Sequence, residues 1–163
     1  MKRIVIVRHG KAEELKLGIN DADRDLTDRG RKNASVIAIR LIRNNIYAGQ
    51  FLSSPAKRAI ETAKIFAREF SYNKNDILTL PLLYNSYSFD DILEIIEKEK
   101  IDSDCIFIFG HNPSLAELAF ELSGKFNEHL PTSGAIVIDL DVDNWNDVQK
   151  HKGKIVQFEH PKK

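Results

Sequence analysis

Arg8, His9 and Gly10 follow directly on a short apolar run, Ile4-Val5-Ile6-Val7, which places a guanidinium and an imidazole at the end of a buried strand. Ile106-Phe107-Ile108-Phe109-Gly110-His111 repeats the arrangement, so two strands each deliver a histidine to one rim. In open α/β sheets, ligands bind outside the carboxyl ends of the strands. A third segment, Ser53-Ser54-Pro55-Ala56-Lys57-Arg58, adds a second arginine one turn into a helix. Two planar guanidinium forks bind the oxygens of one phosphoryl group through charge-assisted pairs, which lysine does less well. No serine or cysteine elbow is visible, so the nucleophile for such a group is expected to be a neutral imidazole nitrogen. Attack by it forms a phosphohistidine and splits the reaction into two easier steps.

Of the five histidines, only His9 and His111 follow strand-like runs; His129, His151 and His160 lie in polar segments and read as surface. Their spacing matches no zinc motif, and no metal or other cofactor is expected. Ser54-Pro55 and Asn112-Pro113 each read as an N-cap followed by proline at the first helical position. Both helices are then expected to aim unpaired N–H groups at the histidines, giving an anion site built largely from backbone.

The elements that must position these groups are legible as alternating patterns. Strands are expected at 3–8, 50–53, 77–80, 105–109, 135–140 and 154–158, rich in β-branched and aromatic residues. Apolar residues at helical spacing mark 28–45 (Ala34, Ile37, Ala38, Leu41), 55–70 (Ala59, Ala63, Phe66, Phe70), 89–99 and 113–123, with Ser88 as the N-cap of the third. Alternating strands and helices predict a three-layer α/β/α sandwich around a mainly parallel sheet. The 163 residues are expected to form a single domain, 1–163, with functional loops at 10–26 and 124–134. The tail Glu159–Lys163 is expected to fray.

Lys+Arg and Asp+Glu are equal at 24 each, so no global field favours nucleic acid or an anionic membrane. Cys105 lies against an apolar run and reads as packing. Lys2 and Arg3 precede only four apolar residues, too few for a signal-peptide core. No stretch reaches membrane-spanning length, and a soluble, cytoplasmic protein is expected.

Arg8-His9-Gly10, Leu26-Thr27-Asp28-Arg29-Gly30, the run from Ser54 to Ala63, and Gly110-His111-Asn112-Pro113 resemble the histidine phosphatase superfamily in order and spacing. The compact length and Thr132-Ser133-Gly134-Ala135 resemble its short SixA-type phosphohistidine phosphatases. The resemblance implies a phosphoglycerate-mutase-like fold, His9 as nucleophile, Arg8 and Arg58 as phosphate grips, and His111 as hydrogen-bond donor to the phosphoryl group. Arg24 aligns with an arginine near the phosphate, and Asn112 and Ser133 are candidate pocket donors. Larger relatives carry a carboxylic acid after the central helices; here Pro81–Tyr87 has none. An alkoxide leaving group needs a proton, whereas an imidazole leaves readily once protonated on its other nitrogen. The expected substrate is therefore phosphohistidine on a protein, such as a phosphotransfer domain or carrier. The rivals are a small-molecule phosphomonoesterase using Asp21, Asp23 or Asp25 as acid, and a non-catalytic module that binds phosphorylated partners.

Other charged and aromatic residues have plainer readings. Glu61 is expected to tether Arg58 or a loop; Tyr84 and Tyr87 either floor the substrate pocket or pack as amphipathic aromatics, and packing is the favoured reading. Lys11, Lys57, Arg29 and Arg31 form either a positive rim for a phosphorylated protein or an ordinary solvated face.

Overall fold

The structure, a computed structural model, describes residues 1–162; Lys163, the last residue of the tail expected to fray, lies outside them. Six strands form one sheet: β1 (Lys2–Arg8), β2 (Gln50–Ser53), β3 (Leu78–Thr79), β4 (Cys105–Gly110), β5 (Ala135–Leu140) and β6 (Lys154–Glu159). Their spatial order is β3-β2-β4-β1-β5-β6. β3, β2, β4 and β1 run parallel; β5 is antiparallel to β1, and β6 to β5. β1 is central, and its residues Ile4 to Val7 are wholly buried because both sheet faces are covered.

The period-2 alternation of the strands divides the core in two. Ile4, Ile6, Ile106, Ile108, Ile136 and Ile138 point to one face and pack on α3 (Phe89–Lys98) and α4 (Ser114–Ser123). Val5, Val7, Phe51, Phe107, Phe109 and Val137 point to the other and pack on α1 (Asp28–Arg43) and α2 (Lys57–Phe70). Each fully buried side chain of this size contributes about 1.5–3 kcal/mol. The layering is the expected α/β/α sandwich.

Local chemistry sets the helix starts. Thr27 caps α1 by accepting from the Gly30 N–H, and Ser88 caps α3 in a reciprocal capping box with Asp91. The two proline-marked starts differ from expectation. Ser54 is not the N-cap of α2, because its N–H still bonds the Phe109 carbonyl (3.0 Å) and prolongs the strand. The first helical carbonyl is that of Ala56, which accepts from Ala59 and Ile60. α4 likewise begins at Ser114, after a cis Asn112–Pro113 bond.

The end of the chain also departs from expectation. Glu159 is buried, closes β6 beside Ala135, and pairs with Arg40 (3.7 Å), while Arg40 also donates to the His160 carbonyl (2.8 Å). Pairing along β6 holds this segment in place. Cys105 is packed as expected, its thiol pushed up to about 12 by burial. Among the described residues no helix is long and apolar enough to cross a membrane.

Candidate active site

The carboxyl ends of β1 and β4 meet the amino end of β5 at one rim. The His9 N–H donates to the Gly110 carbonyl, the Arg8 N–H to that of Gly134, and the Ser133 N–H to that of His9, each at 3.0 Å. Backbone pairing thus continues past the strands and fixes the nucleophile candidate on three sides. The Gly10 N–H donates to Thr62 Oγ1 (2.9 Å), whose hydroxyl in turn donates to the Arg58 carbonyl (2.7 Å). A Cβ at Gly30 would collide with the Lys11 backbone, so only glycine lets α1 start this close to the catalytic loop.

His9 and His111 come together with ring centroids 5.3 Å apart. His9 Nδ1 lies 2.7 Å from the Gly10 carbonyl oxygen, which can only accept, so Nδ1 carries the proton. The lone pair is therefore on Nε2, which has no hydrogen-bond partner among the described residues. Burial lowers the His9 pKa to about 3; the Gly10 bond opposes this, and the charges of His111, Arg58 and Arg8 add to it. The imidazole is consequently neutral and nucleophilic at any physiological pH.

His111 Nε2 lies 2.7 Å from Ser54 Oγ, which also accepts from the Ala56 N–H (3.2 Å). Ser54 finds no other acceptor among the described residues, so its O–H donates to Nε2. The His111 proton then sits on Nδ1, which is buried without a protein partner. Burial first, then the Arg58 charge, lowers its pKa to about 4, against the pull of Asp21. His111 is thus a neutral donor until an anion arrives.

The buried Nε atoms of Arg8 and Arg58 also lack protein partners, as does the Ser133 hydroxyl. Arg8 is held below its usual pKa by burial and by Arg58's charge, so two cations are pressed together at the base of the site. Leaving a buried polar group unpaired costs about 1–3 kcal/mol. Four such groups at one rim describe a seat for a tetrahedral oxyanion, built from side chains rather than mainly from helix N-termini. The Leu115 N–H, for instance, is already taken by the His111 carbonyl (3.0 Å).

Asp21, in a single turn of 3-10 helix, is the hub of the opposite wall. Arg58 donates to its carbonyl (2.8 Å) and carboxylate (2.9 Å), Arg24 pairs with it (2.9 Å), and the Tyr84 hydroxyl donates to it (2.5 Å). These partners, Tyr84 foremost and Arg58 after it, overcome desolvation and hold the Asp21 carboxyl well below the usual carboxylate range. Burial raises Asp25, but the Leu26 N–H, Arg31 and Lys57 more than offset it, and it too lies below its usual range. Asp23 is exposed. Asp21 therefore orients Arg58 rather than donating a proton. Asp21→Asn is expected to slow phosphate esters and phosphoramidates by the same factor, about 10- to 100-fold. A loss confined to esters, in steady-state assays of both, would restore Asp21 as the acid.

The remaining expectations divide. Arg24 spends its donors on Asp21 and the Glu13 carbonyl (3.0 Å), tying the first long loop together. Asn112 donates to the Leu130 carbonyl (2.9 Å) that also accepts from Arg8 Nη1 (3.1 Å), which leaves an acceptor, not a donor, buried and free. Ser133 is fully buried at φ 62° beside Gly10. Glu61 pairs with Arg31 (3.7 Å) and Lys64 (3.3 Å), not with Arg58. Tyr87 packs in the core, but Tyr84 does not simply pack: its ring stands edge-on to His111 at 5.5 Å with the hydroxyl on Asp21. Tyr84 and Ser54 thus stand at the site in roles other than the packing and N-cap expected of them, and Thr62 is a neighbour of the site that the sequence pattern did not single out. Thr62, four residues after Arg58 on one helix face, carried a readable signal.

Burial of His9 has a measurable consequence for stability. An unfolded chain takes up a proton on this imidazole near pH 6.5, which the folded state refuses until about pH 3. The folded pKa is depressed, so this stability is full above 6.5 and is lost as the pH falls through that window. The loss from His9 is about 2 kcal/mol between pH 7 and pH 5. Urea unfolding at both pH values is expected to show a larger loss in the wild type than in His9→Gln, which keeps only the part due to His111. Equal losses in the two proteins would place His9 in a water-like setting.

A sequence profile described as the histidine phosphatase superfamily (branch 1) matches residues 4–81. A solved structure assigned as the phosphohistidine phosphatase SixA of Agrobacterium tumefaciens superposes with a TM-score of 0.79 at 25% identity, covering 98% of each chain. A protein histidine phosphatase SixA complexed with tungstate superposes at 0.76 and 21% identity, covering 98% of this chain and 97% of that one, and shares the fold. The mitochondrial serine/threonine-protein phosphatase Pgam5 of Drosophila ananassae is 39% identical over 77 residues. That match covers 47% of this chain and only 26% of the fly protein. Sequence over residues 4–81 and architecture over nearly all of the chain agree: the chain is similar to the histidine phosphatase superfamily and has a fold of the SixA type.

Proposed function

We propose that the protein is a phosphatase that hydrolyses phosphohistidine on a protein through a phospho-His9 intermediate. His9 Nε2 attacks phosphorus, the P–N bond of the substrate breaks, and its imidazole leaves neutral, having been protonated on its other nitrogen. Phospho-His9 is then an imidazolium whose Nδ1–H donates a charge-assisted bond to the Gly10 carbonyl. Water attacks phosphorus, the new P–N bond breaks, and His9 returns to the tautomer from which it started. Arg8, Arg58 and His111 Nδ1 neutralise the equatorial oxygens in both steps.

The observation that carries the P–N preference is Asp21, the carboxylate at the site, whose oxygens are engaged by Arg58, Arg24 and Tyr84 and held ionised. A phosphate ester would call on a proton donor that this carboxylate does not provide. Two relatives named as SixA support the same reading. The serine/threonine phosphatase relative favours ester hydrolysis instead, with the Tyr84 hydroxyl beside His111 as proton source. Phosphate release from a histidine-phosphorylated domain and from a panel of phosphomonoesters separates the two. Preference for the P–N substrate supports the proposal; equal or faster ester hydrolysis, lost in Tyr84→Phe, overturns it.

A further inference from the structure

A groove of about 730 Å³ opens on the same rim as His9. It lies toward β5 and β6, whereas Asp21, Arg58 and Tyr84 stand toward β2 and β3. Its walls come from chain next to the catalytic groups. Lys11 is two residues beyond His9, Thr132 precedes Ser133, and His160 and Lys162 follow β6. The floor is apolar, supplied by Phe158, Pro131 and Pro161.

The groove is positive although the chain as a whole is neutral. Lys11, Arg29 and Lys162 line it, and none has an ion-pair partner among the described residues; Glu128 is the one carboxylate among the lining side chains. The other two cations of the expected rim behave differently. Arg31 (2.7 Å) and Lys57 (3.4 Å) both pair with Asp25, and Arg31 also with Glu61 (3.7 Å). Charge is thus unspent on one flank of the site and cancelled on the other.

The walls are also fixed in advance. The Lys11 carbonyl accepts from the Thr27 N–H (2.9 Å), and Arg40 ties down the His160 carbonyl (2.8 Å). His160 and Phe126 each meet the Phe158 ring at 5.4 Å. A preformed groove binds without an ordering cost. A phosphorylated imidazole alone brings no charge for three cations outside the phosphate seat.

We propose that this groove docks an acidic segment of the phosphorylated protein substrate, its carboxylates meeting Lys11, Arg29 and Lys162 while the phosphohistidine enters the seat beside His9. The inference rests on the proposed phosphohistidine substrate, and its test is read by binding so that the two can fail separately.

The probe is a histidine-phosphorylated domain with carboxylates flanking its phosphohistidine, titrated into His9→Ala protein with and without Lys11→Glu and Arg29→Glu. The double reversal is expected to weaken binding at least about tenfold. Affinity before the reversal should fall as salt rises from about 50 to 300 mM, and this dependence should shrink after it. With His9 intact, the double variant should hydrolyse phosphoramidate at the wild-type rate, which shows that the seat is undisturbed. Unchanged affinity for the domain overturns the docking assignment, as does an equal loss of affinity for a domain without flanking carboxylates. Weaker binding only of a small bisphosphorylated compound, with the domain unaffected, would reassign the groove to a second phosphate and overturn it too. Failure of the wild type to release phosphate from any P–N substrate would sink the proposed function and leave the binding result to stand by itself.

Discussion

Replacing His9 with alanine is expected to slow phosphate release by at least about 10⁴-fold, because no other group can take its place in a covalent mechanism. Gly10 fixes the proton on Nδ1, and burial keeps the ring neutral, so Nε2 is a poised nucleophile with no alternative nearby. His111 cannot substitute, since its Nε2 is committed to Ser54. The same experiment has a direct signature. Wild-type protein quenched during turnover should carry phosphate in an acid-labile, alkali-stable linkage on His9. His9→Ala should carry none, while its circular dichroism stays unchanged. Phosphate release near the wild-type rate from His9→Ala, or label on another residue, would remove His9 from the mechanism.

The second large effect is expected at Arg58. Its guanidinium is buried to 6% exposure, anchored by Asp21 on one edge, and free at Nε on the other. Arg58→Ala should lower kcat/KM by about 10²–10³-fold, the range for loss of one preorganised donor to a transition-state oxyanion. Arg58→Lys should recover little, because an ammonium cannot hold Asp21 and an oxyanion at fixed angles together. Thermal unfolding supplies an independent readout. Inorganic phosphate or tungstate should raise the Tm of the wild type by occupying the seat between the two arginines. That rise should disappear in Arg58→Ala, which is expected to have an otherwise similar Tm in the absence of anion because it relieves the repulsion with Arg8. A full anion-induced rise in the variant would show that the seat does not depend on Arg58.

Much of this site was readable because strand-end chemistry is local in sequence. An apolar run followed by Arg8-His9 or by Gly110-His111 places side chains at a rim whatever the rest of the chain does. The alternation of strands and helices likewise predicted three layers, and the structure has a separate core on each face of the sheet. What escaped was decided by contacts between distant residues. Asp21 finds Arg58 and Tyr84 across 37 and 63 positions, and no spacing rule links them. Tyr84 looked like packing because its partner was unknown. The expected N-caps were displaced for a similar reason. Ser54 and Asn112 have cap chemistry, but the Ser54 N–H extends the ladder to β4 and the Asn112 amide is held on the Leu130 carbonyl with its oxygen left unpaired. The fraying expected for the tail failed at Glu159, since β5 and Arg40 hold what composition alone would release.

The central place of β1 has a consequence for the order in which the protein is assembled. This strand precedes every other described element along the chain, yet its neighbours are residues 105–110 and 135–140. Closing such long loops is entropically slow compared with forming helices, so the strand that carries His9 waits unpaired while the next hundred or so residues are made. No partial chain ending before Ser133 can contain the seat, because Gly134 and Ser133 are needed to hold Arg8 and His9 from the far side. The seat therefore forms all at once rather than strand by strand, and anion binding by a newly made molecule would report that its sheet has closed.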